Sequence, residues 1–199
     1  MLREHCTVLK YLSQQKWVAN EKLVVAGHSQ GARIATAIVK NNSNVSHLGL
    51  FGANPFGRTE QLVRQARLDA EHNKISQQEA NNKINELYKF YEIINNRDSA
   101  NSNYYYKSWK SFSNPPIDDW LNFNIPIYLA YGTNDVISEM CDLVPLSFIR
   151  LNKNNLTYRR YLNQDHNFFG VNDMGTTDYN HGHWKEVMNE FVNWTISTK

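Results

Sequence analysis

Gly27-His28-Ser29-Gln30-Gly31 sets a serine between two glycines. A serine hydroxyl is a weak nucleophile and attacks a carbonyl only where a base can reach it. A sharp turn from strand to helix can hold such a serine clear of a sheet, in a strained backbone conformation. The turn crowds its own backbone, so the residues two before and two after the serine must be small. Gly27 and Gly31 meet that demand. A helix starting at Gln30 aims its first N–H groups at a centre where negative charge develops. The flanks suit this reading. Lys22-Leu23-Val24-Val25-Ala26-Gly27 is a short, nearly continuous apolar run, as in a parallel strand covered on both faces. Ile34, Ala37 and Ile38 then recur at helical spacing until Asn41-Asn42. The alternative is a glycine-rich tight turn whose serine is incidental.

On these residues the chain resembles the α/β-hydrolase family, from the helix ahead of Leu23 to the last helix. The resemblance implies a mostly parallel sheet flanked by helices and a triad in the chain order nucleophile, acid, histidine. Tyr131-Gly132-Thr133-Asn134-Asp135 offers a carboxylate on the loop after an apolar strand. Leu162-Asn163-Gln164-Asp165-His166 offers a histidine after the next strand. The implied roles are Ser29 as nucleophile, His166 as general base and then acid, and Asp135 as the group that fixes the imidazole. The Gln30 backbone N–H is the implied oxyanion donor. Asp142 is the rival for Asp135, and His181 and His183 are the rivals for His166. His28 fills the variable site of the motif and is expected to pack beside the turn. Asp178, His181 and His183 could be read as metal ligands, but their spacing fits a polar loop and helix cap better. No cofactor is expected.

The elements that must position these groups follow from periodicity. A helical stretch at 3–16, closed by Asn20, leads into the strand at 22–27. A second strand at 47–53 stops at Asn54-Pro55. Ile125–Tyr131 is a third strand, 143–152 a helix, Leu156–Leu162 a strand near a sheet edge because Arg159 and Arg160 lie in it, and His183–Ser197 a closing amphipathic helix. Strand and helix alternation of this kind makes a parallel α/β sheet. Residues 57–118 stand apart: polar and helical from Thr59 to Ile94, then aromatic from Tyr104 to Trp109. They read as an insertion, two or three helices forming a cap within a single domain spanning 1–199. Tyr104, Tyr105, Tyr106, Trp109 and Phe112 either line an acyl or aromatic pocket or pack the cap on the core.

Composition narrows the function. The 199 residues carry 21 basic and 19 acidic side chains, a formal charge of +2. That balance offers no electrostatic case for nucleic acid. Hydrophobic residues at 41% exclude a disordered chain, and apolar runs no longer than a strand exclude a transmembrane helix. Two cysteines, Cys6 and Cys141, are expected as thiols. MLREHCTVLKYL lacks the unbroken apolar stretch of a signal peptide, which leans toward the cytoplasm. The family pattern has several strands ahead of the nucleophile, whereas residues 1–28 alone precede Ser29 here. The chain is therefore expected to be the C-terminal part of a longer hydrolase. Leu23–Ala26 would then be an apolar sheet edge, open to dimerisation. The function expected is a serine hydrolase acting on a small-molecule carboxylic ester or related acyl bond. A peptidase or acyltransferase with the same triad is an alternative, as is a non-catalytic fragment or binding module.

Overall fold

The computed structural model describes residues 7–18, 22–96, 98 and 103–198, with the backbone alone of 2–6. Cys6 and Asn20 lie outside the described side chains. The chain divides into two compact units, Met1–Ala53 with Ile117–Lys199, and Asn54–Pro116.

The first unit is built on a four-stranded parallel sheet in the order β1-β2-β3-β4. Its strands are β1 (Leu23–His28), β2 (Val45–Phe51), β3 (Ile127–Gly132) and β4 (Leu156–Tyr161). Every residue of β3 is buried, as the unbroken apolar run Ile-Tyr-Leu-Ala-Tyr-Gly requires of a strand covered on both faces. β1 pairs with β2 through Val24↔His47 to His28↔Phe51. Among the described residues β1 has no second partner. Its Ala26 is exposed and four of its other residues are only partly covered. β4 forms the opposite edge, and Tyr158, Arg159 and Arg160 face solvent there.

Helices cover the sheet. α2 (Gln30–Asn41) packs on β1 and β2, and α1 (Leu2–Leu12) lies against α2. Rich in Ala and Ile, α2 buries Ala32, Ala35, Thr36 and Ile38. Among the described residues the second unit carries α3 (Arg58–Glu71), α4 (Gln77–Asn95) and α5 (Tyr104–Ser113). The sheet unit resumes with α6 (Ile117–Asn122), α7 (Ser138–Arg150) and α8 (Trp184–Ser197). Trp120 of α6 donates its indole N–H to Thr36 of α2 at 2.8 Å, so the indole is buried without an orphaned donor. Around the inner end of α8, Phe51, Tyr128, Tyr161, Phe168, Val187 and Phe191 form one aromatic-rich core cluster.

The structure departs from the sequence reading in three places. α6 belongs to the sheet unit, so Ile117 and Asp118 fall outside the second unit. α7 starts at Ser138 and runs through Pro145, where the sequence reading begins a helix only at 143. A short antiparallel hairpin, β5 (Phe169–Val171) and β6 (Thr177–Gly182), fills the stretch before α8. It is polar and short, and it gives no apolar alternation to read.

The second unit holds together by itself. Ser76 and Glu79 form a reciprocal capping box at the start of α4. Phe90 meets Trp109 edge-on at 5.2 Å. Beside that pair lies an open groove of about 440 Å³, lined by Leu62, Ala66, Asp69, Leu87, Tyr105 and Trp109 among others. Of the five rings singled out in the sequence, Tyr105 and Trp109 line this groove. Tyr106 packs on Phe90 at 6.2 Å, and Tyr104 and Phe112 are exposed.

Candidate active site

The turn between β1 and α2 carries Ser29. Its φ of 55° with ψ of −118° is a conformation that L side chains rarely adopt. Two backbone bonds hold it there: the Ser29 N–H donates to the Phe51 carbonyl at 2.8 Å, and the Ala32 N–H donates to the Ser29 carbonyl at 3.1 Å. Gly27 is needed for a steric reason, since a Cβ there would lie 2.1 Å from the Gly31 carbonyl oxygen. Gly31 is different. A Cβ at that position meets nothing within 4 Å. The demand for a small residue on both sides of the serine is therefore one-sided in this chain. Gln30 opens α2, and its N–H is one of the first-turn donors that a helix leaves without an internal acceptor.

Asp135 sits in the turn after β3. Its side chain is only 1% exposed, and its Oδ1 accepts the Ile137 N–H at 3.2 Å. The other oxygen, Oδ2, lies 2.6 Å from Nδ1 of His166. A carboxylate accepts, so this contact places the proton on Nδ1 and leaves Nε2 as the ring's basic nitrogen. The hydrogen bond to Asp135 raises the His166 pKa above the ordinary 6.5. Burial opposes the rise, and the charges of Asp135 and Asp165 add to it.

Two loops must meet for this pair to form. Gly132 lets them: a Cβ there would stand 2.2 Å from the Gln164 carbonyl and 2.4 Å from that of Asp165. The Asn134 N–H then donates to the Gln164 carbonyl at 2.9 Å. The Asn163 N–H donates to Thr133 Oγ1 at 2.9 Å. Asp165, not singled out in the sequence, organises the histidine loop. Its Oδ1 accepts from the N–H groups of Asn167 (2.8 Å) and Phe169 (3.0 Å), and Thr177 Oγ1 donates to its Oδ2 at 3.3 Å. Phe168, at φ 58°, is wholly buried, with its ring against Trp184 at 4.9 Å and Tyr161 at 5.5 Å. Gly52 also escaped notice in the sequence. At φ 52°, it leaves room for His166, whose Cε1 would lie 3.1 Å from an added Cβ.

The rival residues are engaged elsewhere. Asp142 accepts from Tyr131 Oη and from Arg160 Nε, both at 2.6 Å. His181 pairs with Asp178 at 2.6 Å and His183 with Glu186 at 3.3 Å. Among the described residues no group of three or more His, Cys, Asp or Glu side chains is placed to hold a metal ion. Cys141 is buried, and that burial pushes its thiol pKa well up, which leaves it protonated and a poor nucleophile. Among the described residues no helix is long and apolar enough to cross a membrane.

No family model matches the chain, and no curated protein matches it. Solved structures do. All of the chain superposes on Porphyromonas gingivalis dipeptidyl peptidase 4 with a TM-score of 0.59 and 10% identity, covering 22% of that protein. All of it also superposes on a highly thermostable carboxyl esterase from Bacillus coagulans, with a TM-score of 0.60, 16% identity and 71% of that chain covered. An α/β fold family hydrolase from Bacillus anthracis str. Sterne matches 98% of the chain with a TM-score of 0.52 and 14% identity, covering 73% of that protein. The chain has the α/β-hydrolase fold, and these structural neighbours are esterases, peptidases and other hydrolases.

Proposed function

We propose that this chain is a serine hydrolase that cleaves a carboxylic ester or a related acyl bond through Ser29, His166 and Asp135. The observation that carries the proposal is the 2.6 Å contact between His166 Nδ1 and a carboxylate that is almost wholly buried. A buried carboxylate aimed at one nitrogen of a part-exposed imidazole leaves the other nitrogen to act as a base. In the proposed reaction His166 Nε2 takes the Ser29 proton as Oγ attacks the acyl carbon. The tetrahedral oxyanion draws on the Gln30 N–H and the positive end of α2. Collapse of the intermediate expels the leaving group, which receives the proton from His166. Water, activated by the same imidazole, then hydrolyses the acyl-enzyme and frees Ser29. The chemistry calls for no cofactor.

The leaving group is not selected by this machinery. An alkoxide, thiolate or amine would each take the same proton, so the peptidase and acyltransferase readings differ from the esterase in the acceptor and leaving group only. Initial-rate assays with a series of 4-nitrophenyl esters of graded acyl length test the proposal. Turnover is expected for the wild type and should drop by at least about 10³-fold for Ser29→Ala. Equal turnover by the two proteins would refute a catalytic Ser29.

A further inference from the structure

We infer that His28 is a positioning residue for His166: it donates its Nε2–H to the His166 carbonyl, so the turn that carries Ser29 also sets the place of the histidine. The inference rests on the triad reading above.

His28 Nε2 stands 2.9 Å from the carbonyl oxygen of His166. A carbonyl can only accept, so the proton of the neutral ring must be on Nε2. The two imidazoles also touch as rings, with centroids 4.9 Å apart and a 45° tilt. The His28 ring is itself held, meeting Trp184 edge-on at 5.2 Å and Phe168 at 6.3 Å. Gly52 closes the third side: a Cβ there would come within 3.1 Å of His166 Cε1 and 3.2 Å of His28 Nε2.

External support matters because the histidine loop is not in a relaxed conformation. Asn163 and Phe168 both have positive φ, 54° and 58°, and a bulky aromatic pays for that backbone. Asp135 fixes the Nδ1 side of the imidazole. It does not fix the backbone from which the imidazole hangs. His28 holds it at the His166 carbonyl itself, across 138 residues of sequence, through one polar contact and one ring face, beside the Asp165 and Asn134 bonds to the neighbouring backbone. It is also the chain neighbour of Ser29, so any shift of the elbow moves base and nucleophile together. The site of the motif that tolerates many residue types therefore has a defined task here, and the task needs an N–H at the Nε2 position.

Glutamine can place its amide N–H near that position, whereas phenylalanine fills the space without a donor. Two measurements on His28→Phe and His28→Gln separate donation from packing. The first is proton NMR of the His166 Nδ1–H, which is visible downfield only while exchange with water is slow. Asp135→Asn identifies the signal by removing it. His28→Phe should broaden or abolish it, with the unfolding midpoint near that of wild type, and His28→Gln should restore it. The second is the rate of covalent labelling of Ser29 by a fluorophosphonate. A fall of about tenfold or more is expected for His28→Phe, with His28→Gln within about threefold of wild type. If His28→Phe itself unfolds, His28→Asn takes its place, because its shorter amide stops short of the Nε2 position.

A sharp NMR signal and wild-type labelling in His28→Phe would overturn the inference. So would a glutamine variant no better than the phenylalanine one. The NMR reading does not depend on hydrolysis. If the wild type fails to label while the signal follows His28 as expected, the triad reading fails and the positioning role stands.

Discussion

At His166 two effects oppose each other. The Asp135 hydrogen bond holds the imidazolium, while burial favours the neutral ring, and the carboxylate wins, raising the pKa above 6.5. In the proposed reaction the general base is the neutral form. Its share therefore grows only as pH climbs through that raised value, and Ser29 labelling should rise with pH above the ordinary imidazole range. The sign for stability is the opposite. A raised folded-state pKa contributes stability that is fully present below pH 6.5 and is lost as pH rises through the folded value. Asp135→Asn removes the largest cause of the shift. It should move the midpoint of the pH–rate profile down while lowering the maximal rate by about 10³–10⁴-fold. Stopped-flow labelling across pH 5–9 measures both, and an unmoved midpoint would argue against the Asp135–His166 pair. The strained turn at Ser29 was legible in the sequence from a serine between two glycines after an apolar run, although only Gly27 meets the steric demand. Asp135 and His166 were picked from loop position and the chain order that the family resemblance implies, and the structure brings them to 2.6 Å. Asp165 and Gly52 were not picked, because they serve through backbone hydrogen bonds and free space, which leave no spacing to read.

At the scale of elements, the turn that carries Ser29 is asymmetric. Gly27→Ala puts a Cβ 2.1 Å from a backbone oxygen that cannot move aside. It should abolish labelling and lower the unfolding midpoint. Gly31→Ala enters open space at the second residue of α2. It should label like wild type and gain up to about 1 kcal/mol of stability from helix propensity. Parallel thermal melts and labelling rates of the two variants decide the matter, and similar behaviour would contradict the asymmetry. The strands β1 to β4 were legible because each is a short apolar or β-rich run beside turn residues. The hairpin β5–β6 was not. Its residues Thr177-Asp178-Tyr179-Asn180-His181-Gly182 are mostly exposed and show no alternation, and its place is fixed by tertiary bonds such as the His183 N–H to the Phe168 carbonyl at 2.9 Å. α7 starts five residues ahead of the expected 143, at Ser138, and runs through Pro145.

At the scale of the whole molecule, one cluster ties the sheet to the site. Phe191 of α8 stacks with Trp194 and meets Phe51 and Tyr128, and Phe51 in turn touches Phe168 in the histidine loop. Phe191→Ala should cost about 3–5 kcal/mol by lost burial and cavity formation. A melting midpoint roughly 10 °C lower by calorimetry is the expected result; a change of a degree or two would show that this cluster is not a principal source of stability. The alternation of strands and helices made this parallel architecture legible in advance. The membership of the core was less so, because rings from β2, β3, the histidine loop and α8 converge only once the chain has folded. The central claim is an activated Ser29, and intact-mass spectrometry after exposure to a fluorophosphonate tests it most directly. One adduct on the wild type and none on Ser29→Ala is the predicted result. No adduct on folded wild-type protein, or an equal adduct on both, would contradict it.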